Sequence, residues 1–149
     1  MAVRDVSPKP FRQDDNDNIS IGIDLPFTKG TDGSGWFATT KTTIGAVKNN
    51  IRNFMNTRQG ERILQPMLGL GIHKYLFEQW TDETQASIED EIRQTIAFWF
   101  PYVILKQVNI QLVDDTQGYG LRNLIKISIT FAIIQDPNMN ESIAIEFGE

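Results

Sequence analysis

The sequence predicts an α+β protein: two main helices packed on a mostly antiparallel β-sheet, with a C-terminal β-hairpin. Three observations carry this. Apolar residues recur at three- and four-residue steps over two stretches, Ile44–Met55 and Ile88–Trp99, the spacing that gathers side chains on one face of a helix. Apolar and polar residues alternate in the last third of the chain, the period of a half-buried strand. The helical stretches precede these strands instead of interleaving with them, which favours α+β over a wound parallel sheet.

The elements follow in chain order. Residues 1–18 read as a flexible N-terminal arm, with Pro8, Pro10 and the polar run Gln13–Asn18; so little apolar surface cannot offset its ordering entropy. Residues 19–149 read as a single domain, a size one hydrophobic core can hold together. Ile19, Ile21, Ile23 and Leu25 alternate with polar or small residues, predicting a strand stopped by Pro26, and Lys29–Gly35 is a glycine-rich loop. The first helix places Ile44, Val47, Ile51, Phe54 and Met55 on one face, with Thr39, Thr40 and Thr42 as N-cap candidates and Gly60 as the stop. Leu64–Gly71 is broken by Pro66, Gly69 and Gly71, and a short helical turn fits Lys74–Gln79. The second helix opens at Asp82, with Gln85 three residues on as a capping box. It buries Ile88, Ile92, Ile96 and Trp99 and ends before Pro101. Strands are expected around Val108–Leu112, Ile125–Ile133 and Ile143–Phe147, with turns at Asp114–Gly120 and Asp136–Asn140. Phe131–Ile134 is apolar on both faces, as for a central strand.

Composition excludes several chemistries. With no cysteine and one histidine, His73, the chain has no disulfide, no thiolate nucleophile and no site needing two imidazoles. No run approaches the ~18 apolar residues of a membrane span. The net charge is −5. The basic residues concentrate in 41–74, which holds Lys41, Lys48, Arg52, Arg58, Arg62 and Lys74 against the single acid Glu61. Residues 75–95 reverse this, with six acids and only Arg93. An acidic chain with one basic stretch is a poor nucleic-acid binder, since phosphate affinity needs dense Lys and Arg. The acidic clusters Asp14–Asp17 and Asp114–Asp115 lack the glycine and glutamate spacing of a calcium loop. His73 has no Gly-x-Ser-x-Gly elbow to serve. Gly69-Leu-Gly71-Ile-His-Lys74 has lysine where a dinucleotide fingerprint needs its third glycine. A glycosidase needs two positioned carboxylates; Glu61, Glu78, Asp82 and Glu83 are present, but no pattern singles out a pair. The expectation is a protein that is not an enzyme, with no cofactor and no metal.

The last strand offers a different chemistry. It ends the given chain, and apart from Glu146 it carries none of the charges or prolines that usually blunt an exposed edge. Such an edge is a template for strand addition by another chain. Ser142, Ile143, Ala144, Ile145, Glu146 and Phe147 are the expected edge. Period two turns Ile143, Ile145 and Phe147 inward, and Ser142, Ala144 and Glu146 outward.

Thr57-Arg-Gln-Gly-Glu-Arg62 follows the first helix; then come Pro66, Gly69 and Gly71 at fixed spacing, and Leu76-Phe77-Glu78. With the upstream Gly22-Ile-Asp-Leu-Pro26, this set resembles the contractile-tail baseplate wedge family, the phage sheath-initiator proteins, which has relatives in type VI secretion baseplates. The resemblance covers roughly residues 19–113. It implies Gly60, Glu61, Arg62, Pro66, Gly69 and Gly71 as the family motif. It further implies a structural subunit that joins the wedge core to the first sheath ring and starts sheath assembly by strand exchange. The implied partners are the tail sheath protein and other baseplate wedge proteins, with tube or hub proteins as further candidates and several copies around a sixfold baseplate. The implied location is the virion tail, assembled in the host cytoplasm. The family usually carries Trp-Glu-Pro-Arg at the end of the second helix, the segment associated with docking on the wedge core. Here it reads Trp99-Phe100-Pro101-Tyr102, so docking through these four residues would rest on aromatic burial. Arg62 is expected to pair with the acidic start of the second helix. The alternatives are a type VI secretion baseplate subunit and a small tail-associated lysozyme, a label some family members carry.

Overall fold

The computed structural model describes residues 11, 14, 16, 18–30, 35–114 and 123–147, with backbone alone at 114 and 123. Most of the expected arm, the middle of the 29–35 loop and the 115–122 turn lie outside the described residues. The elements are β1 (Gly22–Ile23), β2 (Thr39–Thr40), α1 (Thr43–Asn56), a six-residue 3₁₀ turn (Ile72–Phe77), α2 (Asp82–Trp99), β3 (Val103–Asp114), β4 (Asn123–Ile133) and β5 (Asp136–Phe147). Among the described residues, two helices, a 3₁₀ turn and two antiparallel sheets make this an α+β fold with a C-terminal hairpin.

The chain divides into two compact units, one ending at Asn49 and one beginning at Asn50, with α1 running through the boundary. In the first unit β1 and β2 pair antiparallel, Gly22 opposite Thr40 and Ile23 opposite Thr39. The strand expected over Ile19–Leu25 shrinks to two residues, and Ile19 and Ile23 are exposed, because its partner β2 is two residues long and, among the described residues, no further strand pairs beyond it. Asn49, a buried amide on α1, joins helix to hairpin. Its Nδ2 lies 3.0 Å from Asp24 Oδ1, 3.0 Å from Thr40 Oγ1 and 3.3 Å from Ile23 O. At the helix start, Thr42 Oγ1 accepts from Gly45 N, the cap expected from sequence. Asp14 adds a second cap from 29 residues away: its Oδ1 accepts from Thr43 N at 2.9 Å and from Thr43 Oγ1 at 2.8 Å.

The second unit is built on the sheet β3-β4-β5. Register places Ile110, Ile127 and Ile145 in one row, with Val108, Ile129 and Ile143 beside it and Leu112, Ile125 and Phe147 beyond. This face is the core: Ile125, Ile127, Ile129 and Ile143 are fully buried, and Ile110, Ile145 and Phe147 nearly so. The α2 stripe of Ile88, Ile92 and Ile96 is fully buried as well, as are Ile51, Leu70 and Ile72, with Phe54 and Met55 nearly so. Each such side chain contributes about 1.5–3 kcal/mol of transfer free energy. The opposite sheet face is polar, with Gln111, Lys126 and Glu146 in register and a Lys126 Nζ–Glu146 Oε1 pair at 2.9 Å.

Two local expectations are corrected. α2 is capped by Thr81, whose Oγ1 accepts from Thr84 N at 3.2 Å, and the box expected from Asp82 and Gln85 does not form; the threonine takes the extended conformation a cap requires. Gln85 instead donates to Ile110 O of β3 at 3.5 Å. The turn expected at Asp136–Asn140 is two residues, Ile134 and Gln135, with Ile133 opposite Asp136. Residues 136–140 already belong to β5, and the register slips there because Pro137 cannot donate to a ladder.

Candidate functional site

Two surfaces come from the residues singled out by sequence. The first is β5. Among the described residues it pairs with β4 alone, so its other edge is open. Ile143, Ile145 and Phe147 are buried, whereas Ser142, Ala144 and Glu146 are exposed. One device protects the edge that sequence reasoning placed in a turn: Pro137, near the start of the strand. At the far end, the Phe147 ring meets the His73 ring edge-on at 5.8 Å. The opposite sheet edge, β3, has α2 packed against it.

The second surface is the end of α2 and the loop that carries the family motif. Trp99 is half-buried, Pro101 is exposed and Tyr102 is 41% exposed. Phe100 turns partly inward as the helix C-cap, its ring edge-on to Phe54 at 5.3 Å and to Tyr102 at 6.1 Å. Partial burial raises the Tyr102 hydroxyl pKa above its ordinary value. The most exposed aromatic here is one the sequence reading passed over: Phe98, 76% exposed and packed edge-on against Trp99 at 5.2 Å. Its signal was present, since position 98 falls off the Ile88, Ile92, Ile96 stripe.

The motif residues build the loop from Thr57 to Leu70. α1 stops at Asn56, four residues before the expected stop at Gly60. Gly60 takes φ +86 and donates to Pro66 O at 2.8 Å, so glycine and proline close the loop across its neck. Gly69 takes φ +113, and a Cβ there would lie 2.3 Å from Thr57 O. Leu70 N donates to that same carbonyl at 3.1 Å. Glu61 Oε2 accepts from Arg58 N at 3.0 Å. Gly71 N donates to Glu91 Oε1 at 3.2 Å. Arg62 is exposed and makes no ion pair among the described residues, so its expected pairing with α2 is not found. Lys74 takes that role, 2.8 Å from Glu91 Oε2. Glu91, which the sequence marks only as one of the acids clustered in the first half of the second helix, holds Gly71 N, Lys74 and the Tyr75 hydroxyl together. Its hydrogen bond to Lys74 is the main cause of that lysine's raised pKa. Tyr75 is also raised, first by burial.

The carboxylates weighed for a glycosidase do not gather in a cleft: Glu61 serves the turn, and Glu78, Asp82 and Glu83 are exposed. No group of three metal-ligating side chains occurs among the described residues.

Comparison with known proteins follows the same line. A chain named baseplate wedge protein gp25, from Enterobacteria phage T4, is 27% identical over 103 residues, covering 69% of this chain and 74% of its own. A chain in the baseplate of the anti-feeding prophage superposes with a TM-score of 0.59 at 28% identity, over 75% of this chain and 83% of that one. A candidate tail lysozyme from Geobacter sulfurreducens shares the fold, with a TM-score of 0.61 at 22% identity over 74% and 95% of the two chains. Residues 43–138 match the family described as baseplate wedge protein gp25. The chain belongs to that family, and its role is that of a structural component of a tail baseplate.

Proposed function

We propose that this chain links a baseplate wedge to the first sheath ring, offering the free edge of β5 to a strand of the sheath protein and so starting sheath assembly, and that it does this without catalysis. The observation that supports the reading most directly is the open β5 edge. Its inner side chains are already spent in the core and its outer ones are small or polar. An added strand would extend the Ile143, Ile145 and Phe147 row, and the ladder itself would supply affinity. In the same reading, Trp99, Pro101 and Tyr102 contribute to wedge docking at the end of α2, with Phe100 holding that end against Phe54.

A proline scan over residues 142–147 in a sheath-polymerisation assay tests the edge. A proline whose missing N–H faced the edge removes a donor from the incoming ladder while sparing the β4 pairing. Baseplates then form, but sheath does not start. If every folded proline variant still nucleates sheath, β5 is not the acceptor. The non-enzymatic part is tested by turbidity of a peptidoglycan suspension: purified protein should leave it unchanged. Clearing that is lost in Glu61→Gln would sink that part.

A further inference from the structure

The hairpin of the first unit presents large apolar side chains to solvent: Ile23 is 53% exposed, Phe27 66%, Phe37 54% and Trp36 87%. Ile23, Phe27 and Phe37 gather on one face. Thr40 Oγ1 is bonded to Asn49 of α1, so Thr40 faces the helix. Alternation then turns Thr39 and Phe37 the other way. Ile23 lies opposite Thr39, and Lys29 lies opposite Phe37 across an isolated bridge; cross-strand partners share a face. The Phe27 ring joins Phe37 at 5.8 Å. Single exposed apolar residues are ordinary, but adjoining ones with a polar rim mark an interaction surface. Lys29 stands on this face, exposed and without an ion pair among the described residues. A fitting occupant brings apolar surface and a carboxylate together.

The second unit of the same chain carries that combination. Phe77 closes the 3₁₀ turn and is 78% exposed. Glu78, Asp82, Glu83 and Asp90 follow, all exposed and without an ion pair among the described residues, whereas Glu89 and Glu91 are taken by Arg93 and Lys74. Asp82, Ala86 and Asp90 fall at four-residue steps and form one outward stripe of α2, with the small Ala86 leaving room for a ring. The helix dipole accounts for Asp82 and Glu83 in the first turn, but not for Asp90 farther along or for Phe77 outside the helix. We propose that the outer face of the β1–β2 hairpin docks onto the Phe77–Asp90 surface of a second copy of this chain, with Lys29 of one copy set among the carboxylates of the next. The contact is head-to-tail, because two hairpins placed face to face would set Lys29 against Lys29. So few side chains make a small interface, weak in dilute solution and stronger where copies are gathered in an assembly. Both surfaces are distinct from the β5 edge and from the end of α2.

The chain has no cysteine, so single thiols can be placed on either surface of the full-length protein. Thr28→Cys marks the hairpin and Ala86→Cys marks α2, both at exposed positions. The two variants are mixed, treated with a short bismaleimide and read as covalent dimer on a denaturing gel. The mixture should give at least about fivefold more dimer than either variant alone, and Lys29→Glu on the Thr28→Cys chain should remove that excess. Asp82→Lys with Glu83→Lys on the Ala86→Cys chain should restore about half of it or more to the Lys29→Glu partner. Phe77→Ser on the Ala86→Cys chain should also lower the yield, since the apolar anchor is lost. Melting temperatures should stay within about 2 °C of the parent, because exposed positions away from cores change stability little. No excess of mixed dimer overturns the inference. So does a Thr28→Cys chain that couples as well to itself, which would make the contact hairpin to hairpin, or a yield indifferent to Lys29→Glu and to the charge reversal.

Discussion

At the scale of single residues, glycine and aspartate do work that their neighbours in sequence do not reveal. Gly69 combines φ +113 with a carbonyl in the place a Cβ would occupy, so Gly69→Ala meets both backbone strain and a collision with Thr57 O. We expect this variant to lose about 2–3 kcal/mol, read as a fall of roughly 4–12 °C in melting temperature. Gly60 has the positive φ without the collision, so Gly60→Ala should cost less, about 1 kcal/mol. Equal losses at the two positions would show that crowding at Thr57 is not the cause. The spacing of these glycines was legible in the sequence, but the reason for each was not, because a φ value and a carbonyl 12 residues away leave no local trace. Asp14 is a stronger case. It lay in a segment read as arm, yet it caps α1 through two bonds to Thr43. Asp14→Ala should cost about 1 kcal/mol, seen as faster amide exchange in the first turn of α1. Exchange unchanged there would mean that Thr42 alone suffices.

Elements were readable where periodicity had many residues to speak with, and unreadable where a partner decided. The α2 stripe, the β4 alternation and the inward row of β5 all follow from spacing alone, because burial of one face selects the residues. The start of β5 did not, since Asp136-Pro-Asn reads as a turn and is a strand only because β4 runs alongside. The 3₁₀ turn also depends on a partner. Glu91, on the flank of α2, receives Gly71 N, Lys74 Nζ and Tyr75 Oη, and nothing in the 3.6-residue pattern marks it. Glu91→Gln should therefore weaken the attachment of residues 71–77 to α2, by about 2 kcal/mol for the set of bonds. The pH dependence has a definite sign. Lys74 is raised by its bond to Glu91, so its contribution is complete below the ordinary lysine pKa of 10.5 and is lost as pH climbs through the higher folded value. The stability gap between parent and variant should narrow above that pH, and only slightly, because Lys74 is more than half exposed. A gap that widens in alkali would contradict the assignment.

Across the second unit, the motif loop and the sheet edge are joined through one side chain. Arg58 Nε donates to His73 Nε2 at 3.1 Å at the loop base, and the His73 ring lies edge-on to Phe147 at the end of β5. Sequence reading assigned His73 a structural place by eliminating catalytic ones, but could not join it to a strand 74 residues later. The consequence is a coupling between the two surfaces proposed for assembly. An edge-to-face pair is worth about 0.5–1.5 kcal/mol beyond its buried area, enough to hold a terminal strand residue in register but small beside the Ile127 and Ile145 core. His73→Ala should therefore leave global unfolding nearly unchanged while raising amide exchange at Ile145–Phe147 by about two- to tenfold, and strand addition at β5 should weaken in proportion. His73→Phe keeps the ring and loses the acceptor for Arg58, so it should restore exchange at β5 but not the order of the loop base. If both variants fray the strand equally, the Arg58 bond and not the ring contact carries the coupling. If neither does, the loop and the edge act independently.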